Sequence, residues 1–516
     1  MKTPFLKTHP KGENQKLEIV QSLDKVAVDT YSGRVHVNWD HNTPVTPFGQ
    51  LAFFIEFLKR TELFDHFVEQ CPLKLTSPNA PSNRDILGTI LFSVLAGHTR
   101  YAHMATVRTD KVNPPLLGMR KIVSDDSVRR GLNKISKDAG RDWLMEALKN
   151  SYSEILTIPW ILDVDTTVKC LYGHQEGAVV GYNPKKPGRP SHTYHSYMIA
   201  NIRMILDVEV MPGNESSASH TLPSLFAWLD SIPIEKRPQF IRGDCNFGTD
   251  AVMRACEERH QSYLFKLKQT PNIKRLISQQ MVEGEWVNAG QGWQGVEGAI
   301  QLMGWEKERR VIILRRKIKK EIGVINKKLP HGQAEFNFAE MGDKFEAFEY
   351  AVLVTTLQGG VMTIAQHYRD RADSENDFDE LKNQWGWAGY TTHDMHRCQL
   401  MARLIALIYN WWTLFVRLIE PNYHLEAITS RPLLLHAVGT QTQHAGQKVI
   451  QVNSNHADFK KVQSALANLS AFFKTLKSSA EQLSKTEKMR RVIRRAFRKF
   501  IETVKTHPPN LLPAPG

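Results

Sequence analysis

The stretch ILDVDTT at residues 161–167 decides the fold class, because it places two acids inside an apolar run. Side chains alternate across a β-strand, so Ile161, Asp163 and Asp165 would share one face. A buried carboxylate is costly unless an opposite charge, such as a metal ion, compensates it. The stretch therefore predicts a core strand that carries a metal ligand, and acids held in structural ion pairs are the alternative.

A second acid, Asp244, ends the short apolar run FIRGD at residues 240–244. Strand-like and helical segments surround it, with strands at about 155–170, 194–200 and 204–211 and helices at 222–229 and 252–259. This order predicts an α/β fold with a mixed sheet. Because acids at the ends of neighbouring core strands can converge, Asp244 and an acid of the first strand form a candidate pair.

A third acid lies in an amphipathic segment. Its polar site candidates begin at Tyr368. The other three lie three, seven and fourteen residues after it: Arg371, Glu375 and Lys382. On one continuous helix these offsets fall within an arc of roughly 60°. The neighbouring arc is expected to face the core and holds Phe378, Leu381 and Trp385. Four further acids are expected to face solvent: Asp370, Asp373, Asp377 and Glu380. The alternative to a functional site is a solvent-exposed helix face with salt bridges, which is what such charges usually indicate.

These residue types suit phosphodiester chemistry. Cleavage of a DNA strand needs an activated water or 3′-hydroxyl and a stabilised leaving oxygen, which two Mg²⁺ ions about 3.5–4 Å apart provide. Mg²⁺ prefers carboxylate oxygens to His or Cys. Arg371 and Lys382 would hold phosphates, and Tyr368 would stack or hydrogen-bond along the DNA backbone.

Four further motifs complete the pattern: DTT at 165–167, RGDCNFG at 242–248, YGHQEGA at 172–178 and GYNPKKPGRP at 181–190. Together with the helix from Tyr368 to Lys382, the first two resemble the DDE transposases of bacterial insertion sequences that share a Tyr-x2-Arg-x3-Glu-x6-Lys helix. The last two are similar, more narrowly, to the insertion-sequence-1380 group. The resemblance covers about residues 155–420.

The resemblance implies an RNase H-like mixed-sheet core, interrupted by a β-rich insertion and flanked by helical N- and C-terminal regions. It implies that Asp165, Asp244 and Glu375 are catalytic and hold two Mg²⁺ ions, for which Mn²⁺ can substitute. The strand pattern alone leaves Asp163 and Asp165 open as first ligand, and the Asp-Thr-Thr match favours Asp165. The implied partners are terminal inverted repeats and target DNA, bound by a homodimer in a synaptic complex that transfers 3′-hydroxyl ends.

Composition and resemblance together divide the chain into five regions. A helical DNA-binding domain with a polar arm is expected at 1–150, the first half of the core at 151–270, the β-rich insertion at 271–349, the second half with the Glu helix at 350–420, and a helical basic region at 421–516. The change to Gly, Trp and short β-type runs after residue 271 predicts the insertion.

The net charge of +14 favours a polyanionic partner, nucleic acid first. The loop with Lys185, Lys186 and Arg189 closely follows the first Asp strand and is predicted to contact DNA, although its Pro and Gly content also fits a generic turn. Residues 485–505 hold nine Lys or Arg against two Glu and predict a basic amphipathic helix. That helix would bind DNA or a second subunit, and an ordinary solvated face is the alternative.

Other signals exclude several classes of protein. Five dispersed cysteines without a C-x-x-C pair argue against a zinc ribbon or a disulfide framework and favour the cytoplasm. The apolar stretch 400–419 contains Arg403 and Arg417, which predicts a buried core helix and no membrane partner. Two competing functions remain, a nuclease that cuts without joining and a non-catalytic DNA-binding protein.

Overall fold

Ten strands form one mixed sheet in the computed structural model, which describes residues 25–183, 186–215, 217–318, 348–453, 458–478 and 484–506. The strands are β1 (Lys25–Thr30), β2 (Gly33–Asn38), β3 (Val45–Thr46), β4 (Ile161–Cys170), β5 (Val179–Val180), β6 (Pro190–Ile199), β7 (Met204–Pro212), β8 (Phe240–Gly243), β9 (Tyr263–Lys266), β10 (Val287–Gly290), β11 (Trp293–Ile300), β12 (Arg309–Lys317), β13 (Phe348–Thr355), β14 (Gly439–His444) and β15 (Gln447–Val452).

Helices precede, interrupt and follow the sheet. They are α1 (Leu51–Thr61), α2 (Leu63–Glu69), α3 (Asn83–Leu95), α4 (Asn113–Leu116), α5 (Asp125–Leu132), α6 (Lys137–Tyr152), α7 (Ser217–Asp230), α8 (Asp250–Glu258), α9 (Pro271–Glu283), α10 (Val361–Arg369), α11 (Ala372–Asn383), α12 (Met395–Ile419), α13 (Ala427–Leu434), α14 (Phe459–Ser478), α15 (Lys485–Ala496) and α16 (Arg498–Thr506). Short 3₁₀ helices lie at Tyr101–Thr109, Ile155–Thr157 and Ile234–Lys236.

The strand order of the central sheet is β10-β11-β12-β13-β9-β8-β4-β6-β5, with β7 paired to β6. Strands β4, β8 and β9 run parallel to one another. The other pairings within this sheet are antiparallel. The mixed sheet with helices confirms the predicted α/β class.

Both faces of the sheet are covered, as parallel strands require. On one face Ile161, Phe240 and Leu353 pack with Ile364 and Ala365 of α10. On the other face the alternate residues of β4 and β8 join the main core, while α6 and α12 pack over β7. Because side chains alternate along β4, its acids at odd-numbered positions lie on the side of α10.

The strands that lie within the expected β-rich insertion, β10 to β12, belong to the central sheet. Strand β12 pairs with β11 on one side and with β13 on the other. Its four consecutive apolar residues are buried alternately in the two cores, Val311 and Ile313 in one and Ile312 and Leu314 in the other. A continuous apolar run needs cover on both faces, which an interior strand of a large sheet provides.

The flanking regions, predicted to be helical, also contribute strands. In the N-terminal region β1 and β2 form a hairpin. In the C-terminal region β14 pairs with β15 and also with β3, so the two regions share a small sheet. The β14–β15 turn has positive φ at Ala445 (48°) and Gly446 (76°), which a tight two-residue hairpin requires.

Helix α12 is long and apolar enough to cross a membrane by length and composition, but 94% of its most apolar window is buried inside the protein. It carries buried polar groups with protein partners. The Arg403 guanidinium donates to Asp207 of β7 at 2.7 and 2.9 Å, and the Asn410 side chain both donates to and accepts from the Ile205 backbone. These features are those of the predicted core helix.

Candidate active site

Asp165 and Asp244 lie at neighbouring positions of two parallel strands. The register of β4 and β8 pairs Asp163 with Arg242 and Val164 with Gly243. The next step along both strands brings Asp165 opposite Asp244, the first residue beyond β8, and adjacent strands are about 4.8 Å apart. Asn246 fixes the Asp244 carboxylate by donating its backbone N–H to Oδ1 at 2.9 Å and its side-chain amide to Oδ2 at 3.0 Å.

A guanidinium lies against this acid pair. Arg371 donates to Oδ2 of Asp165, and the backbone N–H of Thr166 donates to Oδ1 at 2.7 Å. Burial raises the pKa of the Asp165 carboxyl to about 7; Arg371 opposes this rise, and the negative charge of Asp244 adds to it. Burial also raises the pKa of the Tyr368 phenol, which interacts electrostatically with Arg371 and Asp244. Four predicted site residues are therefore together.

The third segment is two helices instead of the predicted single one. Helix α10 ends at Arg369 and α11 begins at Ala372. In a continuous helix the N–H of Arg371 would bond to the carbonyl of His367, but here it bonds to Tyr368 at 3.1 Å. The His367 carbonyl instead accepts from the Arg242 guanidinium. The predicted single arc is therefore wrong, and a cation of β8 bonds to the carbonyl left free at the break.

The acids of α11 that were expected to face solvent include two that are buried. Asp377 pairs with Arg203 at 2.8 Å, and Glu380 accepts from Trp385 Nε1 at 3.0 Å and from His424 Nε2 at 2.7 Å. These partners come from distant segments, so helical periodicity could not reveal them. Three predicted core residues, Phe378, Leu381 and Trp385, are buried, which confirms that part of the pattern.

Glu375 lies within α11, and this helix packs against β4. The orientation of its side chain, like that of Asp373, is outside the described part of the chain. Lys382 is half-buried in the last turn of α11. The helix that carries the predicted third acid therefore lies against the strand of Asp165.

The predicted DNA-contacting loop lies beyond the carboxyl end of β4. Lys186 and Arg189 are exposed, and both lie over the ring of Tyr172, with cation-to-centroid distances of 5.2 and 4.9 Å. Tyr172 is itself 68% exposed and accepts a hydrogen bond from Lys186 Nζ. Lys185 falls outside the described residues. Since β4 continues for five residues after Asp165, this surface begins roughly 17 Å from the acid pair.

The basic C-terminal segment is also two helices, α15 and α16, because Phe497 leaves the helical conformation between them. Its apolar side is buried at Met489, Val492 and Ile493. Two of its cations contact acids of distant segments, Lys488 with Glu62 at 2.6 Å and Arg490 with Glu154 at 3.0 Å. Arg495 lies over the Phe472 ring at 4.3 Å, whereas Arg491, Arg494 and Arg498 are exposed. Only part of the predicted arginine stripe is thus available to a partner.

The donor set of the acid pair fits a hard divalent cation. Two carboxylates at adjacent strand positions repel each other, and burial increases the free-energy cost of that repulsion unless a cation lies between them. Among the described side chains, which exclude Glu375, no three His, Cys, Asp or Glu residues form a metal-binding group. A carboxylate from α11 would complete an all-oxygen set of the kind that Mg²⁺ takes.

Comparison with known proteins places the chain in a family. Residues 51–473 match the family described as Transposase DDE domain group 1. Curated proteins gave no significant match. Among solved structures, the chain is similar to piggyBac transposase in a synaptic complex with hairpin DNA, with 9% identity and a TM-score of 0.35, over 92% of this chain and 89% of that one. The family match spans well over half of the sequence, and it alone carries the assignment. The chain therefore belongs to the DDE-domain transposases of group 1 and is a DNA transposase.

Proposed function

We propose that this transposase cleaves the ends of its mobile element and joins them to target DNA, with Asp165, Asp244 and Glu375 holding two Mg²⁺ ions. The observation that carries the proposal is the adjacent pair Asp165 and Asp244, faced by Arg371 and by the helix of Glu375. When bound, the metal pair would supply the Lewis acidity that activates the attacking oxygen and stabilises the leaving one.

Asp165 is proposed as the first ligand in preference to Asp163. Asp163 is engaged by Arg242 through two bonds, Nε to Oδ1 at 2.6 Å and Nη2 to Oδ2 at 2.7 Å, and is buried. A carboxylate with both oxygens bound to a guanidinium has little capacity left for a metal ion. Asp165 accepts one bond from Arg371 through Oδ2 and one from the Thr166 backbone N–H through Oδ1, so each of its oxygens keeps a lone pair for a cation.

The protein's cations would orient the DNA. Arg371 contacts Asp165, so its guanidinium is proposed to bind a phosphate next to the cleaved bond. Tyr368 and Lys382 are proposed to contact the same strand. Further along, Lys186 and Arg189 with Tyr172 offer donors at a distance of several nucleotides from the acid pair.

The finer assignments rest on the sequence motifs. We propose an RNase H-like arrangement of β4, β8, β9 and the Glu375 helix, membership of the insertion-sequence-1380 group, and a homodimer that pairs terminal inverted repeats in the cytoplasm. The parallel order β4-β8-β9 with antiparallel β6 and β7 at one edge supports the first of these. The motifs at 172–190 support the second.

The test uses a supercoiled plasmid that carries the native element with its flanking DNA. Wild type with Mg²⁺ should give both excised ends and joined products, whereas a nuclease would give cuts only and a non-catalytic protein neither. Asp244→Ala and Glu375→Gln should abolish cleavage and retain binding in a gel shift, because metal ligands act mainly on the transition state. Equal loss of binding and cleavage would make these acids structural and overturn the proposal.

A further inference from the structure

One guanidinium, that of Arg242, contacts all three segments that carry the proposed site. It belongs to β8, two residues before Asp244. It binds Asp163 of β4, two residues before Asp165, and it donates to the carbonyl of His367, the residue before Tyr368. The same side chain therefore anchors each segment at a position that lies one or two residues, in sequence, from a site residue.

The contacts use the whole fork of the guanidinium. Nε and Nη2 donate to the two Asp163 oxygens, at 2.6 and 2.7 Å, and Nη1 donates to His367. Arg242 is 1% exposed and Asp163 is 4% exposed, so solvent does not compete with these bonds. A planar donor group bound in this way fixes both the spacing and the orientation of its partners.

The bond to His367 determines the course of the third segment. The last carbonyls of a helix lack partners within the helix and are satisfied by other donors. By occupying the His367 carbonyl, Arg242 takes the place of the Arg371 N–H, which turns to the Tyr368 carbonyl at 3.1 Å. The helix breaks at this point, and the guanidinium of Arg371, at the break, donates to Asp165. A straight helix through the same residues would direct Arg371 elsewhere.

We propose that Arg242, together with Asp163, is a positioning residue that aligns the two ligand strands with the helix break carrying Arg371 and leading to Glu375. The proposal rests on the proposed function of Asp165 and Asp244 as metal ligands. Arg242 touches neither metal nor DNA in this role. It acts by setting where the carboxylates of β4 and β8 and the guanidinium of Arg371 meet.

The principal variant is Arg242→Lys, which keeps a buried cation beside Asp163 but loses the fork that reaches His367. The matched control is Arg403→Lys, since Arg403 is 3% exposed and binds Asp207 through two similar bonds between β7 and α12. Single-turnover cleavage, binding to element ends and Mn²⁺ binding by calorimetry are measured, each at an equal interval below the variant's own unfolding temperature.

Arg242→Lys should bind DNA ends as wild type does, cleave them at least about tenfold more slowly, and need more Mn²⁺ for half-saturation, because misplacement by about 1 Å is enough to slow an oriented reaction strongly. Arg403→Lys should lose stability without changing either the rate or Mn²⁺ affinity. Equal rates and Mn²⁺ affinities in the two variants would overturn the inference.

A second variant keeps the test decisive if Arg242→Lys does not fold. Asp163→Asn keeps the side-chain volume and weakens the same link, so it should show the same pairing of normal DNA binding with slow cleavage and weaker Mn²⁺ binding. Unchanged cleavage in Asp163→Asn would overturn the inference. Wild type that neither binds Mn²⁺ nor cleaves would instead refute the proposed function itself, so the two failures are distinguishable.

Discussion

Replacing Asp165 by Asn should abolish cleavage and yet stabilise the folded protein in buffer without divalent metal. Burial and the neighbouring Asp244 charge disfavour the ionised form of Asp165 more than Arg371 favours it, so the pKa of its carboxyl is raised from 3.8 to about 7. Asn has nearly the same shape and carries no charge. It therefore removes the electrostatic penalty together with the proposed metal ligand.

The magnitude follows from the pKa difference. At about 1.4 kcal/mol per pH unit, a rise from 3.8 to about 7 corresponds to roughly 4 kcal/mol. The side chain is only 13% exposed, so solvent screening reduces this figure little. Because the folded-state pKa of Asp165 is raised, this carboxyl costs no stability below about pH 4, and its cost develops as the pH rises toward 7. The advantage of Asp165→Asn should grow from about 2 kcal/mol at pH 5 to about 4 kcal/mol at pH 7.

The assay is denaturant unfolding of wild type and Asp165→Asn at pH 5, 6, 7 and 8 in EDTA. Asp163→Asn is the matched control, because it changes the neighbouring acid on the same strand face. It should lower the free energy of unfolding, since it weakens a buried ion pair whose disruption costs up to about 3–5 kcal/mol. Added Mn²⁺ should stabilise wild type and leave Asp165→Asn unchanged.

The reasoning is refuted if Asp165→Asn destabilises the protein as Asp163→Asn does, or if its advantage does not increase between pH 5 and pH 7. Either result would mean that the Asp165 carboxylate is satisfied by Arg371 alone. In that case the acid pair would be a structural ion pair, and its repulsion would give no reason to expect a bound cation.

Three further predictions concern metal and DNA. Ca²⁺ should support binding to DNA ends without cleavage and Mn²⁺ should support both, because Ca²⁺ accepts looser coordination; paired gel-shift and nicking assays test this. Lys186→Gln combined with Arg189→Gln should lower the slope of log K against log salt by up to about 0.9 for each lost phosphate contact. The exposed arginines of α15 and α16 are Arg491, Arg494 and Arg498. Exchanging all three for Gln should weaken binding to specific and random DNA alike. An unchanged slope of log K against log salt would remove these helices from the DNA interface.

The local patterns of the sequence were sufficient for the acid-bearing strands. Alternation along 161–167 predicted that Asp163 and Asp165 share a face, and the strand FIRG before Asp244 is buried throughout, as its composition indicates. These features depend on strand geometry and on apolar composition within a few residues, which a sequence displays directly. The family resemblance added the choice of Asp165 and the link to a distant helix.

Features that depend on long-range pairing were not predictable. The apolar run of β12 indicated a buried strand, but nothing local to it indicated pairing with β13, which joins it to the central sheet. The burial of Asp377 and Glu380 depends on Arg203 and His424, from other parts of the chain. The helix break before Ala372 depends on a cation from β8. In each case a partner outside the segment overrides its periodicity.

The choice between the two acids of β4 illustrates how register assigns function. In a parallel pair, residues opposite each other lie on the same face and contact directly. Arg242 lies opposite Asp163 and neutralises it, whereas the next position on that face brings Asp244 opposite Asp165, where two negative charges repel. The first acid is thereby satisfied within the protein and the second favours an external cation. Shifting β8 by two residues would place Arg242 opposite Asp165 and leave Asp163 opposite Phe240, without changing a single local pattern in the sequence. The segments D-x-D and R-x-D have the same spacing, and only their alignment in the sheet decides which acid pairs with the arginine and which is proposed to bind metal.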